Sequence, residues 1–265
     1  MDESFTILPV TRLTPSGPEQ GERTVAVEAP VAISLFGIGY AVMMATPRDL
    51  EDFAYGFALS ERLIERAEDV VGIEARAAPS GILLDIELVA ERRDLVFERV
   101  RHRVSDSSCG LCGIENLEQA LRPLPQVAAP LPVAAPAIFA ALGAIQAGQP
   151  LNTETGAVHA AAFCDPDGTI CAMREDVGRH NAFDKLIGHC LRTGLSPSAG
   201  FALLTSRCSY ELVEKAALAG IGLLVTVSAP TSLAVARAQE SGLTLIALAR
   251  ADAMLVMSDP HRLFD

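Results

Sequence analysis

From residue 201 onward the chain alternates short, almost unbroken apolar runs with amphipathic stretches. Residues 201–205, 221–228 and 243–248 are apolar nearly throughout, the pattern of strands buried on both faces. Residues 210–219 and 232–240 lie between them and carry apolar side chains every three or four positions, which predicts helices. A β-α-β-α-β order of this kind implies a parallel sheet with right-handed crossovers. Ligands of such sheets bind outside the carboxyl ends of the strands.

The N-terminal half reads differently. Residues 1–22 show little periodicity and are interrupted by prolines, which predicts an irregular arm. Residues 24–28 and 31–36 read as strands, Gly37-Ile38-Gly39 as a turn and residues 40–44 as the returning strand. A helix should follow, with Thr46 as N-cap, Pro47 as first helical residue, Asp49 reaching back, and an apolar stripe of Leu50, Phe53, Ala54 and Phe57. Residues 70–74 and 82–89 are further strands, joined by a turn at Pro79-Ser80-Gly81. A Pro/Ala-rich stretch, residues 122–136, has the composition of a semi-rigid linker, and a helix over residues 136–147 follows it. The expected organisation is an arm (1–23), a small α/β subdomain (24–100), a loop and linker (101–135) and a second α/β domain (136–265) with a largely parallel sheet.

Composition fits this class. Half of the 265 residues are hydrophobic and tryptophan is absent, so the core must be built from Ala, Val, Leu and Ile. A formal charge of −12 argues against nonspecific binding to nucleic acid or to an anionic membrane. The start lacks the basic and apolar regions of a signal peptide, and no apolar run approaches membrane-spanning length. The six cysteines are therefore expected to be reduced thiols in a cytoplasm. Cys164, Cys171, Cys190 and Cys208 lie in apolar neighbourhoods and read as buried small hydrophobes.

Cys109-Gly110-Leu111-Cys112-Gly113 stands apart. It follows the most basic stretch of an acidic protein, Arg99-Val100-Arg101-His102-Arg103, and precedes residues 114–121, which have helical spacing. Both features favour the thiolate, the form that attacks sulfur or binds metal. The residues alone leave four readings. Structural zinc needs a second pair of ligands, and Cys164 and Cys171 are spaced more widely than the usual knuckle. A thioredoxin-like dithiol follows a buried strand, whereas loop residues precede this pair. A structural disulfide suits an exported chain. The fourth reading is a nucleophilic cysteine on a loop that accepts and passes on a sulfur atom.

Three loops fall at the carboxyl edge of the predicted sheet: Ser206-Arg207-Cys208-Ser209, Ser228-Ala229-Pro230-Thr231-Ser232 and Ala249-Arg250-Ala251-Asp252. Their hydroxyls, small residues and arginines suit a phosphate-bearing ligand, although Ser and Thr also serve as ordinary helix caps. A charged island, Arg174-Glu175-Asp176-Val177-Gly178-Arg179-His180-Asn181, interrupts a strongly apolar region. Paired arginines and carboxylates in such a place form a hydrogen-bonded network or hold a ligand. His159 sits in an apolar stretch where a satisfied core histidine is the ordinary outcome.

These segments together resemble the FdhD family, the sulfur-carrying accessory proteins of molybdenum- or tungsten-dependent formate dehydrogenases. The resemblance rests on Val42-Met43-Met44-Ala45-Thr46-Pro47, the Ser107–Gly113 thiol motif, Thr155-Gly156-Ala157-Val158-His159-Ala160-Ala161, the charged island, Ser209-Tyr210-Glu211-Leu212-Val213 and Val227-Ser228-Ala229-Pro230-Thr231-Ser232. It spans about residues 25–263. It implies a cytidine-deaminase-like fold for the C-terminal domain. It also implies a sulfurtransferase that takes sulfur from a cysteine desulfurase and delivers it to the bis(molybdopterin guanine dinucleotide) cofactor of a formate dehydrogenase catalytic subunit. On that pattern Cys109 carries the persulfide; for Cys112, the second candidate catalytic residue, assistance, release of hydrogen sulfide and protection of Cys109 as a disulfide stay open. The cofactor, or a guanine nucleotide as its partial mimic, is held along Leu248, Ala249, Arg250, Ala251, Asp252 and Ala253. This stretch departs from the family at Leu248, where relatives often carry an aromatic residue, and at Asp252-Ala253. A homodimer is also implied. A non-catalytic chaperone that inserts the cofactor is the alternative. Deamination itself is not supported, because alanine stands after His159 where a proton-shuttling glutamate is needed and the later loop has Cys208 alone.

Overall fold

The computed structural model describes residues 4–105 and 122–264, and three β-sheets organise them. The first is an antiparallel hairpin of β1 (Phe5–Thr14) and β2 (Gly17–Ala26), in register from Phe5 opposite Ala26 to Thr14 opposite Gly17. The irregular arm expected for residues 1–22 is therefore corrected. Both faces of this hairpin are largely exposed, so its strands never needed the apolar alternation by which a half-buried strand is recognised.

The second sheet has the order β4-β3-β6-β5 and comprises β3 (Ala29–Leu35), β4 (Ile38–Ala45), β5 (Val70–Ala78) and β6 (Gly81–Leu88). Val31, Ile33 and Leu35 alternate inward along β3 and pack with Leu84 and Ile86 of β6. Phe53 and Phe57 of helix α1 (Leu50–Ser60) close this core. The cap expected for α1 is wrong. Asp49, in a left-handed conformation, is the N-cap, and the Thr46 hydroxyl instead accepts the Val177 N–H at 3.1 Å. Long-range contacts outcompete the local capping signal there. Helix α2 (Arg93–Ser105) follows the sheet.

The third sheet has the order β12-β11-β10-β9-β7-β8. Its centre is parallel: β9 (Phe201–Leu204), β10 (Leu223–Thr226) and β11 (Thr244–Ala247), connected by α6 (Tyr210–Leu218) and α7 (Ser232–Ser241). β7 (His159–Cys164), β8 (Ile170–Asp176) and β12 (Leu255–Ser258) join it antiparallel. The largely parallel sheet expected from the sequence is thus a mixed one. Strands reached by short turns can pair antiparallel, and only the helical crossovers force the parallel arrangement. One face packs on α5 (Arg179–Thr193), α6 and α7 through Phe183, Leu186, Leu212 and Ala234. The other packs on α3 (Ala135–Ala144) through Ile138 and Ala141, with Phe201, Leu203 and Val225. A short helix, α4 (Pro150–Thr155), precedes β7. The Pro/Ala-rich stretch belongs to this layer: the Val127 N–H donates to the Ser241 carbonyl at 2.8 Å, and Val127 and Val133 are buried on opposite faces of the sheet.

The second and third sheets are joined where α1 crosses α5. A side chain at Gly56 would overlap the Asp184 carbonyl, and one at Gly188 would overlap the Asp52 carbonyl, so the two helix backbones touch. Charges line the same seam. Asp52, buried, receives Arg174 at 2.7 Å and Arg192 at 2.9 Å. Lys185 meets Asp176 at 2.6 Å with both side chains fully buried, and its ammonium also donates to the Thr46 carbonyl at 2.9 Å. Asp184 receives Lys215 at 2.6 Å and the Ser60 hydroxyl at 2.6 Å.

Two outcomes follow for stability in urea. Gly188→Ala must separate the helices and should cost about 3 kcal/mol or more. Lys185→Met leaves Asp176 buried without its cation and should cost about 3–5 kcal/mol. Wild-type midpoints for either variant would contradict this account of the seam.

Candidate functional site

The parallel strands end at Leu204, Thr226 and Ala247, and the residues just beyond them, Thr205, Val227 and Ala249, floor a cavity of about 570 Å³. Phe139 and Leu142 of α3 supply an apolar wall, while Gln149, Asn152, His159 and Arg250 supply polar groups. A mainly apolar cleft with a few convergent donors is the usual form of a small-molecule site.

Each polar group is held by the fold. Leu248 takes a left-handed turn (φ 51°), and its N–H donates to the Ser228 carbonyl at 3.3 Å. The Ala249 N–H donates to the Thr226 carbonyl at 3.1 Å, and Ala249 is buried. The Arg250 N–H closes a turn onto the Ala253 carbonyl at 2.8 Å, leaving the Arg250 side chain exposed at the rim. Across the cavity, the Glu175 carboxylate accepts the N–H groups of Leu151 and Asn152 at 3.0 and 2.8 Å, and so fixes the first turn of α4. His159 opposes Asp176 in the β7–β8 register. Burial, then the nearby Arg179, lower its pKa below the ordinary value against the opposing pull of Asp176, so the ring is neutral at pH 7.

The sequence-predicted stretch divides accordingly. Ala249, Arg250 and Ala251 line the cavity, whereas Leu248, Asp252 and Ala253 form the turn that presents them. Of the three loops expected at the rim, only this one reaches the cavity. The other two are stitched to each other: the Cys208 N–H donates to the Ala229 carbonyl at 3.2 Å and the Thr231 N–H to the Cys208 carbonyl at 3.0 Å. Thr231 is an ordinary helix cap, accepting the Ala234 N–H at 3.2 Å. Gln149 and Asn152 were not singled out from the sequence. Pro150 at the start of α4 signals a helix, but nothing local shows that the helix borders the strand ends.

The charged island serves mainly the seam. Arg174 and Asp176 hold it together, and the Asn181 amide donates to the Met44 carbonyl at 2.7 Å and to Asp176 at 3.0 Å. His180 faces away from the crevice, in a second cavity, with its Nε2 3.3 Å from Glu211. Burial, then Lys215 and Arg179, push its pKa down to about 4, so the ring is neutral at pH 7 and this contact is not an ion pair.

The remaining cysteines separate cleanly. Burial pushes the thiols of Cys164, Cys190 and Cys208 up to about 12, which makes them poor nucleophiles. Cys171 is exposed, contrary to the sequence expectation, because β8 is an edge strand and the residue faces outward. Cys109 and Cys112 lie outside the described residues. Among the described residues no three His, Cys, Asp or Glu side chains are grouped to hold a metal ion, and no helix is long and apolar enough to cross a membrane.

Comparison with known proteins agrees with the motifs. Residues 26–264 match the FdhD/NarQ family model. The chain is 48% identical to the sulfur carrier protein FdhD of Xanthomonas euvesicatoria over 239 residues, covering 90% of this chain and 85% of the relative. It is 44% identical to the FdhD of Bordetella petrii over the same share of this chain and 86% of that protein. The crystal structure of a candidate formate dehydrogenase accessory protein from Desulfotalea psychrophila superposes with a TM-score of 0.74 at 28% identity, covering 97% of this chain and 98% of that one. With motifs, fold and relatives in agreement, the chain belongs to the FdhD/NarQ family.

Proposed function

We propose that this protein is a sulfur carrier that serves formate dehydrogenase. The Cys109 thiolate attacks the outer sulfur of a persulfide on a cysteine desulfurase. The desulfurase cysteine leaves as thiolate, and Cys109 holds the sulfane sulfur as its own persulfide. Attack of the Cys112 thiolate on the inner sulfur then forms a Cys109–Cys112 disulfide and releases the outer sulfur as sulfide, the thiol pair supplying the two electrons. That sulfide would ligate the metal of a bis(molybdopterin guanine dinucleotide) cofactor, the client, before the cofactor enters the dehydrogenase catalytic subunit. Cys112, three residues on, resolves or protects the persulfide.

The observation that carries this reading is the state of the other thiols. Cys164, Cys190 and Cys208 are buried, with pKa values pushed up to about 12, so sulfur chemistry falls to Cys109, Cys112 or the exposed Cys171. Only the first two sit in a basic, glycine-flanked motif. The crevice supports the client half of the proposal. Its apolar wall suits a planar base, and Arg250 suits a phosphate at the rim. Alanine follows His159 where deamination needs a proton-shuttling glutamate, so the role assigned to the crevice is binding and not deamination.

Two measurements test these assignments. After incubation with a desulfurase and cysteine, intact-mass spectrometry should find one added sulfur on wild-type and Cys171→Ala protein and none on Cys109→Ala. Wild-type labelling of Cys109→Ala would remove Cys109 from the role. Arg250→Ala deletes a charge-assisted contact and should weaken guanine nucleotide binding by roughly 10–100-fold; unchanged affinity in calorimetry would move the nucleotide elsewhere.

A further inference from the structure

A second cavity, of about 380 Å³, opens between the end of α1, helix α2 and helices α5 and α6. Three guanidinium groups line it: Arg62 just past α1, Arg99 on α2 and Arg122 at the start of the segment leading to α3. None of the three has a side-chain hydrogen bond or ion pair among the described residues. Two of the carboxylates that share the cavity are paired with cations. Asp184 holds Lys215 at 2.6 Å, and Glu214 holds Arg237 at 2.6 Å. Glu211 meets His180, and Glu61 accepts the Tyr40 hydroxyl at 2.9 Å. Burial, followed by repulsion from Arg99 and Arg62, lowers the pKa of Arg122 below its ordinary value against the pull of Glu61, and burial with the repulsion of Arg99 and Arg237 lowers that of Arg62 against the pull of Glu214. Like charges gathered and partly desolvated without partners are the arrangement an anion relieves.

The backbone gives an independent indication. Helix α1 ends with the Leu63 N–H donating to the Ala58 carbonyl at 2.8 Å, a closing motif whose turning residue is left-handed and usually glycine. Here that residue is Arg62, at φ 57°. An arginine held in a strained conformation where glycine is the default implies a use for its side chain.

We propose that this cavity is a second ligand site, distinct from the strand-end crevice, that binds a phosphate or diphosphate group through Arg62, Arg99 and Arg122. A tetrahedral dianion offers at least three acceptor oxygens pointing in different directions, enough for three guanidinium forks at once. A cleft of this volume suits a small molecule, and the neutral His180 ring and the Tyr210 side chain that also line it can face an attached organic moiety. The proposal does not depend on the sulfur-carrier reading.

Calorimetric titration of the full-length protein with inorganic pyrophosphate tests it. Arg62→Gly relieves the turn, so this variant should melt at or above the wild-type temperature while losing roughly tenfold or more in pyrophosphate affinity. The Arg99→Gln/Arg122→Gln double variant should lose at least as much, and Arg250→Ala, in the other cavity, should bind as wild type. The site is overturned if wild type does not bind pyrophosphate. It is overturned equally if Arg62→Gly and the double variant bind undiminished, or if Arg250→Ala alone abolishes binding. In the Arg250→Ala background, tighter binding of a nucleoside diphosphate than of pyrophosphate assigns a nucleotide, and equal binding assigns free phosphate groups.

Discussion

The contact between Lys185 and Asp176 governs more of this molecule than any other. Two opposite charges lie 2.6 Å apart with no exposed surface on either side chain. Removing both from water costs several kcal/mol per ion, and only good geometry with further hydrogen bonds offsets it. The structure supplies those bonds: Asp176 also accepts the N–H of Thr46 at 3.0 Å and that of Gly178 at 2.8 Å, while Lys185 donates to the Thr46 carbonyl. The pair therefore selects one relation among the end of β4, the end of β8 and the start of α5. The glycine crossing of α1 and α5 needs that same relation, because its backbones touch in no other alignment.

The crevice inherits this precision. Asp176 ends β8 opposite His159, and one residue before it Glu175 fixes the first turn of α4. Both walls of the polar half of the cavity are thus set by consecutive carboxylates on one edge strand, one turned to the seam and the other to α4. An island of charge in an apolar region does two jobs here. Its buried side locks two sheets together, and its partly exposed members, Arg179 and His180, tune the electrostatics of the two cavities. Among the described residues the buried Nε of Arg179 has no hydrogen-bond partner, and the Arg179 charge lowers the pKa of both His159 and His180.

What was legible in the sequence follows from the same physics. The strands β9, β10 and β11 and the helices between them announce themselves, because burial on both faces leaves an unbroken apolar run that few other structures produce. The Arg250 loop could be placed at a binding edge for the same reason: a parallel sheet determines where its loops lie. Features that depend on distant partners were not legible. The β1–β2 hairpin is held by backbone pairing with little burial, Thr46 was drawn from its capping role by Val177, and the apparent linker packs Val127 and Val133 into two cores. Arg62, Arg99 and Arg122 stand far apart in the sequence and meet only through the packing of α1 and α2.

A sulfur carrier has to solve a selectivity problem, since any accessible thiolate can intercept or scramble a persulfide. Burial solves it for most of this chain. A thiol with a pKa near 12 is ionised to about one part in 100,000 at pH 7, some thousand times less than an ordinary cysteine. Cys164, Cys190 and Cys208 are removed by desolvation, with no charged neighbour needed to suppress them. Cys171 escapes that rule, lying on the exposed edge strand beside Thr169. Its accessibility makes it the internal control for the CxxC pair: it is an exposed thiol that lacks their run of basic residues. Any difference in sulfur acceptance between Cys171 and Cys109 therefore measures what the CxxC motif contributes beyond an exposed thiol alone.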